Sequence, residues 1–513
     1  MAGELLLALD LGTTVVRARL YGPDGRPRGA AQRTLPVAFP APGRVEQDPE
    51  VLYRHARDVL CAALVDARAQ AQDVAALGIA TQRATALAWH AHSGKALAPA
   101  LGWQDQREAA RLLELRAQGL AIGTQPSLAK FLWWLEEEPA VRAAARAGTL
   151  RLGTPDVWLG QRLSGGALHA TDPGQAGCTG LYDPGAGDWA QGFLDLLGID
   201  AAWLPEIVPT ASRLGETAAD RFGGPIVLAA RAGDQQASAF AAGLKCAGEA
   251  KLTLGTAAMV ERHTGASPLA PSPGTVPLPL WRLPDEGESY CLEGHVTAAG
   301  AALEWCVRLG LARDVPALAE RAASVRGSAG VVCVPAFQGL GTPYAAEGAR
   351  GLIGGLTRGS GAAELARSVF EGVAQRCIDV WEALDPDDPE IRADGGLARS
   401  DLMLQLLADY SGRPVRRARE IEGTAAGAAA LAARAIGLEP AEPERAAADT
   451  ADKFQPAIGA DERGALRSRW AAHVRHGVLA AAATRERSRG PGARGRSGGA
   501  STRSAEGRLG PGG

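Results

Sequence analysis

Leu5-Leu6-Leu7-Ala8-Leu9-Asp10-Leu11 runs straight into Gly12-Thr13-Thr14, and an alternating apolar run from Val15 to Tyr21 follows at once. A continuous apolar stretch of this length suits a strand buried on both faces. The partner that starts so soon afterwards makes a hairpin. Roughly 240 residues later the device returns: Ala250-Lys251-Leu252-Thr253-Leu254, then Gly255-Thr256, then a second strand through about His263. Two copies of one strand–Gly-Thr–strand unit point to duplication. A chain of 513 residues is also too long for a single core. The expectation is two similar α/β halves.

The stretches between the copies fit that plan. Gly22-Pro23-Asp24-Gly25 closes a turn, and Asp48-Pro49 opens a helix from about 49 to 70, with Asp48 as N-cap. Val74 to Ala80 reads as a strand, with Leu87 to His90 as its hairpin partner. A broken helical stretch covers about 105–163, and 172–183 is Gly-rich and polar. Pro225 to Leu228 reads as a strand, leading through Ala232-Gly233-Asp234 into a helix. Residues 264–290 are Pro-rich and read as loop. A strand at Val331–Val334 and a helix over about 361–384 follow. A strand then ends at Asp394-Gly395-Gly396, and an Ala-rich helix spans Thr424 to Ala435. The expected units are 4–243, 250–440, a helical extension over 441–484 and a disordered basic tail over 485–513. That tail holds seven Arg against two Glu and few apolar residues.

Charge and cysteine usage exclude several functions. A net charge of −3 gives no electrostatic case for nucleic acid. Seven scattered Cys, with no C-x-x-C, argue for reduced thiols and against a zinc site. No apolar run is long enough to span a membrane, and the N-terminal run lacks a basic leader, so the cytoplasm is the expected compartment.

The hairpin tips suggest anion binding, because Gly12 allows close approach and the threonines add hydroxyls. Asp10, at the strand end, is placed where a carboxylate can hold a metal that also touches phosphate. Asp234 sits between a strand and a helix. It is either an N-cap or a carboxylate at the mouth of the sheet, and the residues alone leave both open.

Several stretches then stand in order: Asp10-Leu11-Gly12-Thr13-Thr14, Gly43-Arg44-Val45-Glu46-Gln47-Asp48-Pro49, Thr81-Gln82-Arg83, Trp103-Gln104-Asp105, Gly153-Thr154-Pro155-Asp156, Gly233-Asp234-Gln235-Gln236, Leu254-Gly255-Thr256 and Asp394-Gly395-Gly396. Together they resemble the FGGY carbohydrate kinases, and among these the glycerol kinases, with Thr81 to Thr85 similar to the branch called glycerol kinase 5. Gly351 to Leu356 and the helix after it resemble the C-terminal signature of the family. Gln125 to Trp133 is a near match to the N-terminal one.

The resemblance implies two RNase H-like domains of the actin-like ATPase type, with mixed sheets flanking a nucleotide cleft. It implies ATP and Mg²⁺ as cofactors and a small polyol or sugar as substrate, and a homodimer is compatible with it. By the same resemblance Thr13, Thr14, Arg17, Gly255 and Thr256 face phosphates, and Gly300, Gly395 and Gly396 line the nucleoside. Arg83, Trp103, Asp234 and Gln235 surround the acceptor, Asp234 is the base, and Asp10 with Asp234 holds the metal. The implied reaction is transfer of the γ-phosphate of ATP to glycerol or a related polyol. A pentulose kinase and a catalytically weak nucleotide-binding regulator are the alternatives. Departures from the pattern motivate them: Ala84 where glycerol kinases carry Glu, a missing aromatic expected near Gln125, Met259 for an aromatic, Glu304 for a nucleotide-contacting Gln and Ser400 for an Asn.

Overall fold

The computed structural model describes residues 3–117, 126–419, 422–438 and 452–488. Gln125, residues 441–451 of the expected extension and the tail from 489 lie outside the described residues.

Each half is built on one mixed sheet. In the first, Leu5–Leu11 pairs antiparallel with Val15–Tyr21, which pairs antiparallel with Pro27–Thr34. On its other side Leu5–Leu11 pairs parallel with Val74–Thr81, which pairs parallel with Val227–Gly233. The second sheet repeats the scheme. Ala250–Leu254 pairs antiparallel with Ala258–Gly265, and that strand pairs antiparallel with Gly287–Val296. Ala250–Leu254 also pairs parallel with Ile391–Asp394, which pairs parallel with Val415–Arg417. Order and sense agree strand for strand, as duplication requires. In each sheet the Gly-Thr turn follows the central strand at the carboxyl end of the parallel strands, where open α/β sheets leave a crevice for ligands.

Three sequence expectations are corrected. Leu87–His90 pairs with Leu150–Gly153, not with the strand before it. The polar stretch after 172 contains a helix, Pro173–Thr179, capped by Asp172. The Pro-rich stretch after 264 is half strand: Val276–Leu283 pairs antiparallel with Gly287–Val296. Pro277 and Pro279 fit there because Val276–Leu283 is the edge strand of its sheet.

The lobes are joined by helices that cross between them. Gly423–Ala435 follows the second sheet in the chain, yet its Ala425, Ala428 and Ala432 share a core with Leu6, Ala8, Ala76 and Ala80 of the first. Small residues make this possible. A Cβ at Gly427 would lie 1.8 Å from the carbonyl oxygen of Ala237, and one at Gly78 would lie 2.0 Å from that of Ala428. The helix Asp234–Ala241 is therefore wedged against Gly423–Ala435, and the Thr424 hydroxyl donates to the Asp234 carbonyl at 3.3 Å. This packing fixes where Asp234 stands.

The last helix, Ala460–Ser488, runs past Arg485, where the sequence placed the start of the tail. It docks through Trp470 and Val474 on Val334, Ala336 and Leu340. Among the described residues no helix is long and apolar enough to cross a membrane, and the seven cysteines are free thiols.

Candidate active site

Each hairpin tip is closed by the N–H of its glycine, over three residues in the first and two in the second. Gly12 N–H donates to the Val15 carbonyl at 3.1 Å, and Gly255 N–H to that of Ala257 at 2.9 Å. Thr14 and Thr256 are exposed at the tips, whereas Thr13 is half-buried. The structure thus separates the threonine pair. The Thr13 hydroxyl accepts from Trp103 Nε1 at 3.0 Å, which leaves Thr14 as the outward group. Among the described residues no hydrogen bond joins the two tips directly.

Around the second tip the backbone packs closely. Gly300 N–H donates to the Gly255 carbonyl at 3.0 Å, and the N–H groups of Ala299 and Ala301 reach the Thr256 carbonyl at 3.0 and 3.1 Å. A Cβ at Gly300 would sit 2.8 Å from the Gly255 oxygen, and Gly395, with φ of +86°, would bring one within 2.6 Å of the Leu254 oxygen. Glycine is required at both places by contact, and at Gly395 by conformation as well. Beside Gly396 nothing lies within 4 Å of a Cβ position, so that side is open space. Gly255, Gly300 and Gly395 thus gather at the end of one strand.

Residues expected around the acceptor, Arg83, Asp234 and Gln235, meet at the end of the first sheet. Asp234 is the first residue of its helix, and Gly233 is the N-cap, so the N-cap reading of Asp234 is corrected. Its Oδ1 accepts from the Gln235 N–H at 2.9 Å and lies 3.5 Å from Arg83 Nε. Arg83 Nη1 makes its closer ion pair with Glu293, at 2.7 Å. Glu293 comes from the second lobe, on the strand Gly287–Val296, just beyond the stretch read as loop from the sequence. Gln235 Oε1 is buried without a hydrogen-bond partner among the described residues, so it can accept from a bound hydroxyl.

A row of charge crosses the second sheet opposite this cluster. Register sets Lys251 against Glu261 and Glu261 against Glu293. Lys251 Nζ lies 3.5 Å from Glu261, 3.7 Å from Asp394 and 2.9 Å from Ser238 Oγ. Ser238 also donates to Asp394. Ser238 is one helical turn beyond Asp234, so the helix that carries Asp234 in one lobe is pinned to the strand that leads into Gly395 of the other.

Burial sets the electrostatics. It pushes the Asp10 carboxyl up to about 7, against Arg17, with Asp234 and Glu422 adding to the rise. Arg17 stands opposite Asp10 across the hairpin, at 3.5 Å, and its Nε is 3.6 Å from Glu422. Burial also raises the Asp234 carboxyl; Arg83 and the Gln235 N–H oppose the rise and Glu293 adds to it. Among the described residues no group of three or more His, Cys, Asp or Glu side chains is arranged to hold a metal. Two carboxylates fit Mg²⁺ nevertheless, because that ion takes one or two carboxylates and completes its shell with phosphate oxygens and water. Asp10 and Asp234 are close enough for the charge of Asp234 to raise Asp10.

Position 84 is distinctive. Ala84 has φ of +57°, and its carbonyl accepts from the buried Lys130 Nζ at 2.8 Å. A methyl group stands where the motif pattern would place a carboxylate. Burial pushes the Lys130 ammonium down to about 7.

The family model for the FGGY family of carbohydrate kinases, N-terminal domain, matches residues 5–241, and that for the C-terminal domain matches 250–436. A protein named glycerol kinase from Aromatoleum aromaticum is 42% identical over 486 residues, 91% of this chain and 97% of that protein. One of the same name from Bordetella parapertussis is 40% identical over 493 residues, 91% of this chain and 96% of that protein. The crystal structure of Plasmodium falciparum glycerol kinase with ADP superposes with a TM-score of 0.84 at 23% identity, covering 93% of this chain and 98% of that one. Ligand-bound xylulose kinase from Lactobacillus acidophilus gives 0.81 at 21% identity, with the same coverage. Superpositions at such identities establish the two-lobed α/β fold.

Proposed function

The chain belongs to the FGGY family of carbohydrate kinases, and from that premise we propose that it transfers the γ-phosphate of ATP to a hydroxyl of glycerol, giving glycerol 3-phosphate, or to a hydroxyl of a related small polyol. It is a phosphotransferase acting on an alcohol group. The observation that carries the acceptor assignment is the Asp234–Arg83 pair beside the unpartnered Gln235 oxygen. A base, a cation and an open acceptor meet there at the mouth of the sheet. The identity to proteins named glycerol kinase supports it.

In this reading Asp234 takes the proton of the attacking hydroxyl. Arg83 and Gln235 orient the acceptor, donating to it and accepting from it, and the Trp103 indole forms one wall. Thr14 and Thr256 offer hydroxyls to the phosphates from opposite lobes, and Arg17 adds positive charge on the first hairpin. Gly300, Gly395 and Gly396 border the nucleoside. Asp10 and Asp234 would hold Mg²⁺ directly or through water, and the ion would offset phosphate charge during transfer. The chemistry asked of the chain is then mostly positioning and proton removal.

Ala84 keeps a second acceptor class in view. A carboxylate gripping a hydroxyl contributes roughly 1.5–3 kcal/mol, so its loss weakens glycerol binding about tenfold to a hundredfold. A pentulose, with more hydroxyls, depends less on one such contact. The regulatory reading draws on Glu304, which is exposed, and on Ser400, whose hydroxyl is occupied as the cap of the helix Asp401–Ser411.

ADP release by the purified protein across a panel of polyols and sugars separates these readings. Glycerol or another three-carbon polyol is expected to raise turnover most. A pentulose preference would transfer the assignment to sugar kinase, and nucleotide binding with no acceptor response would replace it with the regulator. Ala84→Glu is expected to lower the KM for glycerol about tenfold, because Ala already bears the left-handed backbone and the substitution adds a charged contact. An unchanged or higher KM would remove position 84 from the acceptor site.

A further inference from the structure

The motif Gly43–Pro49 has so far been given no task, yet its Gln47 is buried between the two halves of the reaction. The hydrogen bonds of the first sheet run out as its central strands diverge. The last paired residues are Leu11 and Thr81, and one more backbone bond, Gln82 N–H to the Leu11 carbonyl at 2.8 Å, closes the row. Beyond it the chains part, one toward Thr13-Thr14 and the other toward Arg83. The Gln47 amide fills that gap. Its Oε1 accepts from Gln82 Nε2 at 2.8 Å, and its Nε2 donates to the Thr13 carbonyl at 2.9 Å. One donor and one acceptor thus continue the sheet by one rung made of side chains.

The same segment holds the acceptor wall. Gln47 pairs with Ala100, and three residues on Trp103 donates from Nε1 to the Thr13 hydroxyl. Trp103 N–H is itself held by Thr85 Oγ1 at 3.2 Å. Asp48, the next residue, caps the helix Pro49–Asp66, so the Gln47 backbone is anchored on both sides.

We propose that Gln47 is a positioning residue that fixes the spacing between the acceptor site and the phosphate hairpin, through its paired contacts with Gln82, beside Arg83, and with Thr13. This rests on the proposed function and deepens it. In-line transfer requires the attacking oxygen to be held close to the phosphorus in one orientation, and a displacement near 1 Å costs about a hundredfold in rate. Arg83 and Trp103 set one end of that distance, the Thr13-Thr14 tip sets the other, and Gln47 bridges them.

Three substitutions separate the contacts. Gln47→Leu removes both. Gln47→Glu keeps the acceptor for Gln82 and loses the donor to Thr13. Gln47→His keeps one donor and one acceptor. For Leu and Glu, kcat is expected to fall tenfold to a hundredfold while KM for ATP and for the acceptor stays within about threefold, with most activity returning in His. ADP formed per acceptor phosphorylated is expected to rise above one, because a loosened tip lets water compete. A purely structural role would lower the Tm and leave that ratio at one, and such a result, or an unchanged kcat in folded Gln47→Glu, overturns the proposal. Amide exchange at residues 12–14 gives a reading independent of turnover. It is expected to quicken at least tenfold in Gln47→Glu, and an unchanged rate overturns the positioning role even where no acceptor is found. Wild-type protein that phosphorylates nothing would overturn the proposed function instead.

Discussion

Asp234→Asn is expected to reduce acceptor phosphorylation by about a hundredfold to ten-thousandfold, the range attributed to a positioned general base. It is expected to leave the fold and the binding of metal-free nucleotide intact. The carboxylate stands beside the Gln235 oxygen, which has no hydrogen-bond partner among the described residues, and the guanidinium of Arg83, whose other carboxylate neighbour, Glu293, is already held in a close ion pair. Asn retains the volume and an oxygen for the Gln235 N–H but cannot take a proton. Arg83 does not collapse, because Glu293 holds it at 2.7 Å. The fold loses nothing, because burial already disfavours the ionised form of Asp234. The checks are turnover in a coupled ADP assay, calorimetric nucleotide affinity and the melting temperature. Turnover within tenfold of wild type in a folded variant would take the base role away from Asp234.

That residue was legible in the sequence for a physical reason. Strand ends, Gly-Thr tips and strand-to-helix junctions are local, so Asp10, Thr14, Asp234 and Gly255 could be located from a few neighbours each. The partners of these residues were not local. Glu293 lies just past the stretch whose prolines suggested loop, on a strand that pairs with the edge strand Val276–Leu283 formed from that stretch. The row Lys251–Glu261–Glu293 exists through register, which depends on how three strands slide past one another.

The same distinction applies to the lobe contacts. Gly427 reads as one more small residue in an Ala-rich helix, and its approach to Ala237 appears only once the two helices cross. At position 84 the sequence shows the absent carboxylate. It does not show the left-handed backbone, or the buried lysine whose ammonium satisfies the carbonyl. Gln47 belonged to a recognised motif, but the stretch carried no sign that its amide continues a sheet.

Asp10→Asn is expected to separate stability from activity in opposite directions. The Asp10 carboxyl is buried, and burial pushes it from 3.8 to about 7. Between those values the folded chain retains a proton that the unfolded chain has released, so stability falls as pH rises through that window and stays low above it. The gap amounts to roughly 4 kcal/mol at most. Asn carries no charge to bury, and its oxygen still faces Arg17, 3.5 Å from the present Oδ2. Without metal or nucleotide, the variant is therefore expected to melt a few degrees above wild type at pH 8 and by a clearly smaller margin at pH 5, where only part of the loss has set in. Activity should move the other way, falling roughly a hundredfold or more, as when one preorganised electrostatic group is removed from a reacting site. Melting curves at the two pH values, with turnover at pH 8, test both halves. A gain in stability that is equal at pH 5 and pH 8 would show that Asn improves packing and not charge burial. Retained turnover would show that the site works without a carboxylate at the end of its first strand, and the phosphate-side reading of the hairpin would then rest on Thr14, Arg17 and Thr256 alone.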